Sequence, residues 1–72
     1  MVEIFKTNVK NKKRAGEVLK TLGMHLPAYL FNFDLDDCDR ILRVKSSGCP
    51  IEITRIIKLV EEHCIEISLL KD

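Results

Sequence analysis

Ala15, Val18, Leu19 and Leu22 fall at i, i+3, i+4 and i+7, and Ile53, Ile56, Ile57 and Val60 repeat that spacing 38 residues on. Each set predicts a helix with a single apolar stripe, which must be buried against another element. Strand-like runs flank both. Val2, Ile4 and Phe5 form a short one ending near Thr7, and Asn8 or Asn11 offers the N-cap of the first helix. Gly23 stands where a C-cap glycine belongs. In AYLFNFDLDDCDRILRV, Phe31, Phe33 and Leu35 alternate with Asn32 and Asp34 before a polar turn from Asp36 to Asp39, after which Ile41, Leu42 and Val44 resume. Two such runs predict an antiparallel hairpin. SSGC is a turn signal, Pro50 suits the first turn of the second helix, and Glu52 suits its dipole. That helix ends near Glu62 or His63, and CIEISLL closes the chain as a strand.

The order is strand, helix, strand, strand, helix, strand. Right-handed crossovers place both helices on one face of a four-stranded antiparallel sheet, so the predicted class is α+β, a ferredoxin-like βαββαβ sandwich filling residues 1–72 as one domain. Phe31, Phe33, Val18, Leu19, Ile56 and Ile57 are the expected core. The open face of the sheet is expected to carry Glu3, Asn32, Arg43, Lys45 and Glu66, with Phe5 as its lone aromatic.

A chain of 72 residues builds one thin core, which argues against an enzyme with a deep pocket and makes a partner or a second copy of the chain a useful source of stability. The apolar fraction of 46% is too high for disorder, and a net charge of +1 gives no bulk attraction to nucleic acid or membrane. With no signal-like segment at MVEIFKTNVK and no apolar run of spanning length, the expected location is cytoplasmic. Cys38, Cys49 and Cys64 make neither a paired disulfide framework nor a CxxC clamp, and predict reduced thiols.

The stretch KTNVKNKKRAGEVLKTLG resembles the start of the heavy-metal-associated domain family, which comprises small copper chaperones and the metal-binding domains of P-type ATPases. That family places Met-x-Cys-x-x-Cys at the head of its first helix, before a Val-Leu-x-x-Leu run. Matching the run to Val18-Leu19-Lys20-Thr21-Leu22 puts Lys6 at the methionine and Asn8 and Asn11 at the two cysteines. The hairpin and the second half fit the family's other elements, so the chain resembles a divergent member that lacks the CxxC. Asparagine amides are hard, neutral donors, and soft Cu(I) prefers thiolates. The implied cofactor is therefore none. The alternative is copper or zinc held by non-standard ligands, His63 and Cys64, or by a site shared between two copies. Adjacent residues of a strand point to opposite faces, which works against that pair, and Cys64 reads better as a small hydrophobic filler.

Lys10, Lys12, Lys13 and Arg14 crowd the first turn of the first helix, where each positive charge opposes the helix dipole. In the resembled family, cations around the metal loop dock an acidic patch on a protein partner. Lys6, Asn8, Lys10, Asn11, Lys12, Lys13 and Arg14 are accordingly the candidate partner- or anion-binding residues.

Other chemistries fit less well. DLDDCD offers oxygen donors for calcium, but the loop's sixth and twelfth positions hold Asp39 and Lys45 in place of glycine and glutamate. RNA-recognition modules stack bases on aromatics of an open sheet face, and Phe31 and Phe33 alternate in phase with the covered side. No Ser-His-Asp set or glycine-rich phosphate loop occurs, and His25 reads as a solvated residue near the end of the first helix.

Overall fold

The computed structural model describes residues 1–70. Its elements are β1 (Val2–Thr7), α1 (Lys12–His25), β2 (Tyr29–Asp34), β3 (Ile41–Ser46), α2 (Ile53–Glu61) and β4 (Ile67–Leu69). The strands form one antiparallel sheet in the order β2-β3-β1-β4, with both helices packed on the same face. This is the ferredoxin-like βαββαβ arrangement that the order of elements predicts.

Register decides which side chains meet the helices. Phe5 lies opposite Leu42 on one side and Leu69 on the other, while Phe31 and Phe33 lie opposite Val44 and Leu42. Antiparallel partners share a face, so Glu3, Phe5 and Thr7 all point to the helices. The expected placement of Glu3 and Phe5 on the open face is thus corrected, and Glu66 precedes β4 instead of lying in the sheet. Phe5 has no exposed surface and sits at the centre of the core with Val18, Leu22, Leu42, Val44, Ile56 and Val60. Leu19, Phe31, Phe33 and Ile57 pack on that core but remain partly exposed. With all four aromatic residues on the helix side, the open face has no platform for stacking bases.

The helix ends differ from expectation in ways the hydrogen bonds explain. Asn11 is the N-cap of α1, its side-chain oxygen accepting from Arg14 N–H at 2.9 Å. Gly23 lies inside the helix, which continues to His25 and ends where Leu26 N–H donates to the Leu22 carbonyl. Pro27 prevents further extension. Pro50 lies ahead of α2, because the Tyr29 hydroxyl donates to the Pro50 carbonyl at 2.8 Å and accepts from Glu52 N–H at 3.1 Å, holding the entry segment non-helical.

Candidate functional site: the head of helix α1

The loop between β1 and α1 is anchored on three sides. Thr7 is buried, and its hydroxyl donates to the Arg40 carbonyl at 2.6 Å and accepts from Val9 N–H at 3.3 Å. A buried polar group so paired escapes the penalty of an unmet hydrogen bond. Asn8 exchanges three hydrogen bonds with Glu66. Its backbone N–H donates to the Glu66 carbonyl at 3.2 Å, its Nδ2 to Oε2 at 3.1 Å, and its Oδ1 accepts from Glu66 N–H at 3.0 Å. The Arg40 guanidinium reaches the carbonyls of Lys10 and Val9 at 3.3 and 3.5 Å.

These contacts sort the seven candidate residues. The amides of Asn8 and Asn11 are committed to their own chain, Asn8 as a clasp to the approach of β4 and Asn11 as the helix cap. Arg14 is half-buried, with Nη2 donating to the His63 carbonyl and Nη1 3.4 Å from Glu17. Lys6 lies 3.8 Å from Asp39, a solvent-exposed pair of small energetic consequence. Lys10, Lys12 and Lys13 are exposed and make no ion pair among the described residues, and the first turn of α1 holds no acid. No acceptor meets the backbone N–H of Lys12 or Lys13 among the described residues. The outcome is a fixed loop that projects three lysines around the positive end of a helix.

Arg40 was not singled out in the sequence and Glu66 was read there only as an open-face residue, yet both hold this loop. Arg40 has φ 47, a left-handed conformation uncommon for a side chain of its size, and no sequence pattern announces it.

Beside the lysines, Asn8, Val9, Lys10, Asn11, Arg14, Cys64 and Ile65 line a shallow cavity of about 270 Å³. Cys64 is exposed, correcting its expected role as buried filler, because φ 59 breaks the chain away from strand geometry before β4 begins. His63 turns the other way, with Nε2 2.9 Å from the Thr21 hydroxyl on the flank of α1. A soft metal at this cavity would meet one thiol and two amides already bonded elsewhere, so the donor set does not fit copper or zinc. Reconstitution with Cu(I) or Zn(II) under reducing conditions is expected to give no tight complex of one metal per monomer. A sub-micromolar complex abolished by Cys64→Ser would contradict that.

The acidic turn is built as a turn. Asp34 Oδ1 accepts from Asp36 N–H at 3.3 Å and Asp37 Oδ1 from Asp39 N–H at 2.9 Å, side-chain-to-backbone bonds that shape tight connections. Asp37, Cys38 and Asp39 bring ligand atoms within 4.8 Å of one another on that surface, and this turn lies beside the β1–α1 loop, where the Thr7 N–H donates to the Asp39 carbonyl at 3.1 Å.

No protein-family model, curated protein or solved structure matches the chain. No helix among the described residues is long and apolar enough to cross a membrane.

Proposed function

We propose that the chain is a small non-catalytic interaction module that docks an acidic group of a protein partner on the head of α1. The observation that carries this reading is the pairing of a pinned loop with unpaired cations: Lys10, Lys12 and Lys13 make no ion pair among the described residues, while the backbone beneath them is tied to Glu66, Thr7 and Arg40. Each cation near the N-terminus opposes the helix dipole by about 0.3–1 kcal/mol, a cost without structural return. A carboxylate or phosphate reverses it, meeting the free N–H groups of Lys12 and Lys13 as well as the ammonium groups. Because the loop is already ordered, little conformational entropy is lost on binding. The resemblance to heavy-metal-associated domains points to the same face, with docking retained and the thiolates absent.

Salt tests this directly. Partners captured on the immobilised chain from native lysate at low ionic strength should be acidic and should elute as salt rises through a few tenths molar, where exposed charges are screened. Retention through about 1 M salt would contradict a contact built on these lysines.

A further inference from the structure

β2 is paired on one side only, and its outer edge runs beside α1. Small proteins protect such edges with lysine, proline, a bulge or very short strands. β4, at the other edge, has three residues, whereas β2 has six, YLFNFD, with no lysine or proline among them. Apolar surface follows this edge on both faces. Leu19, Phe31, Phe33 and Leu35 are partly exposed on the helix side, and Leu30 is 73% exposed on the open side.

We propose that this edge pairs antiparallel with the β2 edge of a second copy of the chain, about a two-fold axis through Asn32. Opposed residues of an antiparallel pair share a face, so only registers matching odd with odd positions and even with even are allowed. With the axis at Asn32, Phe31 faces the partner's Phe33 and Tyr29 faces the partner's Leu35, closing the aromatic side on itself. An axis at Phe33 would set Tyr29 against the partner's Asp37, and one at Phe31 would leave Leu35 against the partner's Pro27.

Charge selects a second copy over an arbitrary extended peptide. Lys45 lies beside Leu30 in the sheet, and Asp34 ends the same strand on the same face. The two-fold brings the partner's Asp34 to the other side of Leu30, so an acid and a base bracket and cover that exposed side chain twice per dimer. On the helix layer, Gly16 and Gly23 flank Leu19 on one side of α1, and a Cβ at either would meet nothing within 4 Å. Glycine inside a helix is less favourable than alanine, and here it leaves the flank bare for the partner's helix.

The test uses the full chain. Sedimentation of the wild type at about 100 µM should show a dimer, and Asn32→Lys, which sets two lysines directly opposite each other on the axis, should weaken it at least tenfold while preserving the fold by circular dichroism. In a background with Cys38, Cys49 and Cys64 replaced by serine, Asn32→Cys should crosslink to itself on mild oxidation, since opposed Cα atoms lie about 4.5–5.5 Å apart, within disulfide reach. Leu30→Cys should not, because the two copies of that position would lie about 13 Å apart. A monomeric wild type, a dimer indifferent to Asn32→Lys, or equal crosslinking at both positions would each overturn the proposal.

Discussion

Replacing Phe5 with alanine is expected to lower the unfolding free energy by about 3–5 kcal/mol, as loss of a fully buried aromatic ring does elsewhere. Phe5 has no exposed surface, and β1 is flanked by β3 and β4, so the neighbours cannot collapse into the space without disturbing three strands. A domain of 72 residues has a total stability of only about 4–10 kcal/mol, so this loss removes roughly half of it and should move the urea midpoint far down. Phe33→Ala is expected to cost less, because its ring is already partly exposed beside the sheet edge. Urea unfolding of both variants checks the ranking. An equal or larger loss for Phe33→Ala would mean that the assignment of faces in β1 and β2 is wrong.

That ranking could not be reached from the sequence, and the reason lies in β1. Val2 and Ile4 alternate on one face while Phe5, Thr7 and Val9 alternate on the other, so apolar residues alone support either phase. The choice is made by non-local pairing, with Leu42 and Leu69 opposite Phe5, and by the bonds that satisfy the Thr7 hydroxyl inside. The helices were legible because a 3.6-residue stripe is local: Val18, Leu22, Ile56 and Val60 are buried as their spacing requires. The hairpin was legible from the acids of its turn. At the candidate site, the lysines could be read but the scaffold beneath them could not. Asn8 finds Glu66, Arg40 finds Lys10 and Cys64 swings outward through backbone conformations and distant contacts that no short pattern encodes.

Reversing Lys12 and Lys13 to glutamate is expected to weaken partner binding by roughly 10- to 100-fold, since two attractions become repulsions across the contact. Arg14 is left out of this variant because its guanidinium holds the His63 carbonyl, and its loss would mix structure with binding. The same substitutions should leave folding stability unchanged or raise it by about 0.3–1 kcal/mol per site, because acids suit the start of a helix and the wild type has none in this turn. Opposed changes in stability and binding are the signature of a surface kept for recognition.

The most direct test of the docking claim is therefore a paired measurement on the same two preparations. Wild type and Lys12→Glu/Lys13→Glu are melted side by side, and each is used as bait in native lysate at low salt. The account predicts an equal or higher melting temperature for the reversed protein together with loss of the partner recovered by the wild type. Recovery of the same partners in the same amount by both baits would contradict it.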